Sequence, residues 1–550
     1  GALLSRRFAA GAIILYLVLS MAGWLGLFSS YLLWVIMVLS LVAFVLRMKT
    51  VRLPEAFGWL AAGLLLLLPL ALLPPASRDA MNHHLYLPRL WLESGAIVRP
   101  DWSSYFSYPY MVETFYGLAG GTIGFAGARM VSLLGLAACG IALLETRELG
   151  RRVRILSVVV LFSIPEVLRN GSWAFTDSFT VFFSLMAFLE LVREEGTPMY
   201  AAVWAAAAAM CKYNALPVLA AVLLLLPMRF GWRMKGKPLI AAAVLLLCIP
   251  WALPNIVQWG NPVYPLLRGV FGPPSPLSER AARLLSESRA LAAQGTTLLD
   301  CALLPVRLSV SGRWDDPRLY DGSSGPLLLV GSVLFLVLGR RRREFLILPA
   351  VCLLALAALM GPAVRIRYLL PGLAMLSVPA AIGIDALRER ARPWLTVLLV
   401  AVCLGWTGTK LYELYMVERP WTALSGDYLA NRLGYIPFYR EAETVVDVGD
   451  VTLFVNMGNR AFYFPSRVEY SEQRFPVRVL EMLWRGEDDG QIAAELKDEG
   501  IGWLAMNMDY TVVNIPWELT DPELEVWRRF VAMRLRPVIS VNPFVLFEVI

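Results

Sequence analysis

Both histidines of the chain, His83 and His84, follow a lone aspartate, Asp79, in the stretch RDAMNHHLYLPRLWLESG, residues 78–95. A carboxylate and an imidazole within one or two turns are the groups that general acid–base chemistry uses. If the stretch is α-helical, Asp79, His83 and Tyr86 share one face by i, i+4 and i+7 spacing. At the mouth of a membrane cavity Asp79 would then serve as a general base. The competing role is a helix cap, because Asp79 follows Pro-Pro-Ala-Ser-Arg and precedes a helical run. Two adjacent histidines rarely face one ion on a helix, so a divalent metal is possible but unsupported and no cofactor is called for. Hydrogen bonding is the role expected of His84.

Further polar groups stand at the ends of apolar runs: Glu113 in YPYMVETFYG, Asp177 in WAFTDSF, Lys212 and Tyr213 in CKYNALP, and Arg365, Arg367 and Tyr368 in RIRYLLPG. An anionic group would be held by cations, and Lys212, Arg365 and Arg367 are the candidates. Their alternative is snorkelling to lipid headgroups, and the tyrosines beside them either line the same cleft or belong to the interfacial belt. Asp177 either orients an acceptor or His84, or caps the span it opens. Glu113 either faces the cavity or is solvated at a surface. Asn255, Asn261 and Tyr264 in NIVQWGNPVYP predict a rigid turn, which closes over lipid or acceptor or is turn chemistry alone. Tyr105, Phe106, Tyr108 and Tyr110 offer faces for stacking or for interfacial anchoring.

These groups need a scaffold, and composition dictates its kind. The 550 residues are 58% hydrophobic with a mean hydropathy of +0.59, which places the chain among polytopic helical membrane proteins. Apolar runs predict about thirteen spans, near 8–28, 30–46, 57–75, 128–146, 155–169, 174–192, 198–212, 215–228, 237–257, 326–339, 344–361, 368–385 and 394–413. The first run shows no small-residue cleavage site, so it is expected to be a retained span. With the N-terminus in the cytoplasm, 21 Lys and Arg fall in inside segments against four in short outer ones (Arg169, Lys212, Arg365 and Arg367). The segments 76–127, 258–325 and everything after 413 then lie outside. The stretch 109–125 is assigned to an amphipathic helix lying at the outer surface rather than to a span. No cysteine pair has metal-ligand spacing, and no basic, aromatic-interleaved soluble face suggests nucleic acid.

From about residue 414 the chain is more charged. TVVDVGDVTLFVNMG, GIGWLAMNMD and VISVNPFVLFEVI predict strands, and DDGQIAAELKDEG an amphipathic helix closed by Gly500. The expected division is a membrane domain over 1–413, carrying the outer loops 76–127 and 258–325, and a small α/β extracytoplasmic domain over 414–550.

The pattern D-A-x-x-x-H-L-x-L-P-R-x-x-L-E-x-G resembles the first outer loop of bacterial GT-C superfamily glycosyltransferases. YPYMVETFYGLA, AFTDSFTVFFSL, CKYNALP, PWALPNIVQWGNPVYPL, YDGSSGPLLL and RIRYLLPGLAML follow in the order of that superfamily's later landmarks, so the resemblance covers roughly residues 75 to 385. Protein O-mannosyltransferases and lipid A aminoarabinose transferase-like enzymes are similar types. The resemblance implies that Asp79 is the catalytic aspartate, His84 the usual histidine, and Pro88 with Arg89 the Pro-basic pair. It also implies sugar transfer from a polyprenyl-phosphate donor to a hydroxyl-bearing protein, lipid or glycan acceptor at the bacterial inner membrane. Two extra spans precede the key loop, and Asp79 stands alone where many relatives carry an acidic pair, so no metal requirement carries over. Such a donor is already activated, and neither a Walker nor a dinucleotide pattern occurs. A single base acting opposite the leaving phosphate would invert the anomeric carbon. A lipid-linked oligosaccharide ligase or polymerase, a lipid transporter or flippase, and a non-catalytic scaffold are the rival readings.

Overall fold

The computed structural model describes residues 3–47, 51–271, 280, 283, 303–338, 344–360, 364–458, 460–470 and 478–550. The arginines at 340–343 and Cys301 lie outside them. The chain divides into two compact units, one of 1–75, 109–253 and 292–420, the other of 76–108, 254–291 and 421–550. The loop bearing Asp79 therefore folds with the C-terminal region, where the sequence division at 413 had grouped it with the spans.

The first unit is helical. Among the described residues six helices are long and apolar enough to cross a membrane: Leu4–Trp24, Ser30–Arg47, Gly127–Leu144, Tyr213–Phe230, Lys237–Trp259 and Pro393–Ala423. The pair Ile366–Met375 and Ser377–Arg390, bent by 54°, makes a seventh if it is one span. Several of the thirteen expected spans are broken or short. The 57–75 run splits into Phe57–Leu65 and Leu68–Ala71, and the 155–169 run into Arg151–Phe162 and Pro165–Ser172. Pro165 lacks the N–H that a continuing helix would require and instead starts the second piece. The helix Asp177–Val192 is buried from Asp177 to Leu191, a core helix surrounded by other helices.

The helix Met111–Thr122 does not lie on a surface as expected. Nine of its twelve residues are buried, and it packs against Leu4–Trp24, Ser30–Arg47 and Gly127–Leu144. The Tyr116 hydroxyl meets Ser132 Oγ at 2.8 Å, a polar contact that suits an interior better than an interface.

Buried arginines fasten this unit. Arg129 donates to the Pro74 and Ser172 carbonyls at 3.1 and 2.8 Å and to Glu418 at 2.7 Å. Arg6 and Arg193 both bond Glu190, which is fully buried.

The second unit holds a five-stranded sheet in the order β2-β1-β3-β5-β4, with β1 Val451–Val455, β2 Arg467–Tyr470, β3 Ile501–Asn507, β4 Leu535–Val541 and β5 Phe544–Val549. β1 runs parallel to β2 and β3, while β5 pairs antiparallel with β3 and β4. The central strands β1 and β3 are buried along most of their length, as expected of strands covered on both faces. Leu453, Val455, Leu504 and Met506 share a core with Leu480, Leu483, Ile492, Leu496 and Phe530 from the helices. The expected amphipathic helix is Asp489–Asp498, begun by a capping box between Asp488 and Gln491. It is followed by Gly500 at φ 77°, a left-handed value that glycine adopts without strain. The short strand β2 is one that the sequence did not announce.

Candidate active site

Asp79 directly precedes a π-helical turn, Ala80–His84, closed by the Leu85 N–H on the Ala80 carbonyl at 2.9 Å. The ring is one residue wider than in an α-helix, so the expected α-helical face of Asp79, His83 and Tyr86 does not form. Such turns are rare and gather at functional sites. The half-buried Asp79 side chain makes no capping hydrogen bond, which removes the cap as its role. His84 is buried. The His83 ring stacks on Tyr105 at 4.7 Å, touches His84 at 4.0 Å and meets Tyr108 edge-on at 6.4 Å. The aromatics of the loop thus hold an imidazole in place, rather than standing as open platforms.

Tyr86 and Arg89, expected to bind substrate, are engaged by the sheet. The buried Tyr86 hydroxyl accepts from the Val468 N–H at 2.6 Å and donates to the Val468 carbonyl at 2.7 Å. Burial pushes its phenol pKa up, which keeps the hydroxyl protonated as that donor. Arg89 Nη1 donates to the carbonyls of Phe462 and Phe464 at 2.8 and 2.7 Å, and its Nε donates to Glu93 at 2.6 Å. Tyr470 Oη donates to the Asn82 carbonyl, inside the π-turn, and Tyr435 Oη lies 3.0 Å from Met81 Sδ. Nothing in the sequence marked Tyr470 or Tyr435, because the contacts reach across more than 350 positions.

The Asn255 segment is turn chemistry. Asn255 is buried, accepts from Arg99 and donates to the Ser107 carbonyl at 3.2 Å. Asn261 donates to the Leu266 carbonyl at 2.7 Å and accepts from the Val263 N–H at 3.0 Å. The Tyr264 ring is buried and stacks on Trp259 at 4.4 Å. Asn255 and Tyr264 therefore shape the loop, and a direct hold on substrate is not their geometry.

The helical unit brings together most of the remaining candidates. Lys212 Nζ donates to both Asp177 oxygens at 2.9 and 2.8 Å, with the carboxylate 1% and the lysine 14% exposed. Asp177 is thus an ion-pair partner and not a cap. The ammonium lies 5.4 Å from the centre of the Tyr368 ring, and the Arg367 guanidinium lies over Phe175 and Tyr368 at 5.0 and 5.4 Å. Glu113 is buried and feels the charges of Lys212 and Asp177. Asn214 Nδ2 ties the Tyr368 carbonyl at 3.2 Å. Tyr213 points elsewhere, edge-on to Trp251 at 5.5 Å, and Arg365 is exposed. Two cations lie against the Tyr368 ring, and one of them, Lys212, is paired with a buried carboxylate.

A second buried cluster escaped the sequence reading. Glu166 accepts from Arg169 at 2.7 Å and from Asn170 at 2.7 Å, and the Arg169 guanidinium lies over Trp173 at 5.1 Å. Arg169 had registered only as a positive charge on the wrong side. Among the described residues no three His, Cys, Asp or Glu side chains gather as metal ligands.

No family model and no curated protein matches the chain. Solved structures do. The crystal structures of ArnT from Cupriavidus metallidurans, bound to undecaprenyl phosphate and in the apo state, are similar to it over 90% of this chain and 98% of theirs. The TM-score is 0.51 for both, at 14% and 16% sequence identity respectively. The chain therefore shares the fold of these ArnT structures.

Proposed function

We propose that the chain is an integral membrane glycosyltransferase. It moves a sugar from a polyprenyl-phosphate carrier to a hydroxyl-bearing protein, lipid or glycan acceptor on the outer face of a bacterial cytoplasmic membrane. Three things support this reading: the shared ArnT fold, the undecaprenyl phosphate bound in one ArnT structure, and the order of the motifs. The observation that carries it is the half-buried Asp79 carboxylate, uncapped and set against a π-turn that holds a buried histidine.

The roles follow from the chemistry. Asp79 accepts the acceptor's hydroxyl proton as that oxygen attacks the anomeric carbon. The bond from that carbon to the phosphate oxygen breaks, and its electron pair leaves with the phosphate, which stays on the isoprenoid. Attack opposite the departing group inverts the anomeric centre. Lys212, Arg367 and the exposed Arg365 receive the phosphate charge. Asp177 fixes the Lys212 ammonium, Glu113 belongs to the same group, and His84 hydrogen-bonds sugar or phosphate. The arginine distribution supports a cytoplasmic N-terminus and an extracytoplasmic segment after residue 413.

The test uses full-length protein in lipid nanodiscs, a panel of undecaprenyl-phosphate sugars and acceptors extracted from membranes. Asp79→Asn keeps undecaprenyl phosphate affinity and loses about 10²–10⁴-fold in kcat. Full turnover by that variant removes Asp79 as the base. Mass spectrometry of surface glycoconjugates from a deletion strain tests the wider reading, which falls if no sugar mass disappears.

A further inference from the structure

The contacts around β2 give the C-terminal region a part in shaping the turn beside Asp79. Within a strand, the N–H and C=O of one residue point to the same side. Those of Val468 are both taken by the Tyr86 hydroxyl at 2.6 and 2.7 Å, while β2 is paired with β1. Tyr86 thus acts as a rung on the edge of β2 that, among the described residues, no strand covers, a position that otherwise leaves a strand open to foreign pairing. One turn further along, Arg89 gathers the carbonyls of Phe462 and Phe464, the segment leading into β2. On the other side of Tyr86, Tyr470 at the end of β2 holds the Asn82 carbonyl, within the π-turn itself. Trp102 packs edge-on against Phe106 and Tyr470 at 4.7 and 4.8 Å and closes the contact. A π-turn is a rare form of helix that gathers at functional sites, and its geometry depends on the surroundings that hold it. Here the surroundings are β2 and its approach.

We propose that strand β2 of the C-terminal region is the positioning element for the π-turn that carries Asp79 and His84, with Tyr86, Arg89 and Tyr470 as positioning residues. This rests on the reading of Asp79 as the base. The residues act on the reaction through the turn and touch no substrate. A strand that sets the geometry of the base also gives an acceptor bound to the C-terminal region a mechanical route to it.

The experiment compares Tyr86→Phe, Tyr470→Phe, Arg89→Lys and the double tyrosine variant, all as full-length protein in nanodiscs. Each single variant is expected to lose about ten- to a hundredfold in kcat at unchanged KM for the lipid donor, since misplacement of a reacting group by about 1 Å costs on that order. The double variant is expected to lose less than the product of the two singles, because both hold one turn. The acid limb of the pH profile of kcat/KM is expected to move in the same variants. Loss of folded protein alone would scale the rate and leave that limb in place, which overturns the proposal, as does wild-type kcat in the double variant. A nitroxide at Asp79→Cys supplies a readout without turnover: an immobilised spectrum that sharpens in the double variant is expected, and an unchanged spectrum overturns the proposal. If Asp79→Asn itself stays active, the base reading fails and the spectrum alone decides the positioning.

Discussion

At the scale of the residue, the Lys212–Asp177 pair is the most consequential contact in the helical unit. Its carboxylate is almost wholly removed from solvent, so its stability depends on the ammonium that bonds both oxygens. Removing one partner of a buried pair leaves an uncompensated charge and costs about 3–5 kcal/mol. Lys212→Met is therefore expected to lower the thermal unfolding midpoint and to weaken undecaprenyl phosphate binding. The double change Lys212→Met with Asp177→Asn is expected to recover most of the stability and none of the affinity. A lysine that only snorkels to headgroups would leave the affinity untouched in both. Arg365 and Arg367 are two residues apart in sequence, but only Arg367 is buried against aromatic faces. Arg367→Ala is expected to cost more binding than Arg365→Ala, measured with the same lipid.

At the scale of the element, the helices Pro326–Leu338 and Ser377–Arg390 are joined by glycines. A Cβ on Gly383 would fall on the Gly331 carbonyl and the Phe335 amide, and one on Gly331 would come within 2.8 Å of the Ala380 carbonyl. Both obstacles are backbone and cannot turn aside. Small residues that let two helices approach this closely are the usual device for packing them in lipid. Gly383→Ala is expected to cost about 1–3 kcal/mol by overpacking, seen as a lower unfolding midpoint in detergent. Gly405→Ala, on a helix where a Cβ meets nothing within 4 Å, is the matched control and should leave the midpoint unchanged. Equal midpoints for the two variants would deny the close approach.

At the scale of the whole molecule, the chain enters the sheet unit three times, and an arginine fastens each of the first two segments to the third. Arg280, from the second long loop, grips both oxygens of Glu523 at 2.9 Å, bonds the Glu518 carbonyl at 2.9 Å and lies 4.5 Å over the Trp484 ring. The hydrogen bonds from Arg280 hold the Glu523 carboxyl down to about 2 from its ordinary 4.5. A depressed acid contributes stability that is fully present above its unfolded value and is lost as pH falls from about 4.5 toward 2. The pair is partly exposed, 31% and 18%, so salt should screen it and shrink the effect. Protection of the peptide spanning Glu518 to Glu523 against amide hydrogen exchange, taken relative to the intrinsic rate at each pH, is expected to fall below pH 4.5 and to do so far less in Arg280→Ala. Identical pH dependence in both would remove the pair as the fastening.

Composition and period settled the membrane character of the chain, because apolar runs and arginine placement are local properties that lipid reads directly. The strands at 451–455, 501–507, 535–541 and 544–549 and the helix after Asp488 were legible for the same reason: alternation, capping and turn residues are written within a few positions. So was Asp79 as the residue to watch. The sequence could not show that its helix turns with an extra residue, that Tyr86 and Arg89 face a strand instead of a substrate, or that Met111–Thr122 is buried. It also could not show which apolar runs break, since a run reads the same whether it meets lipid or other helices. Those outcomes depend on partners hundreds of residues away, and only the folded chain brings backbone carbonyls, buried charges and close-packed glycines to the distances at which their energies are decided.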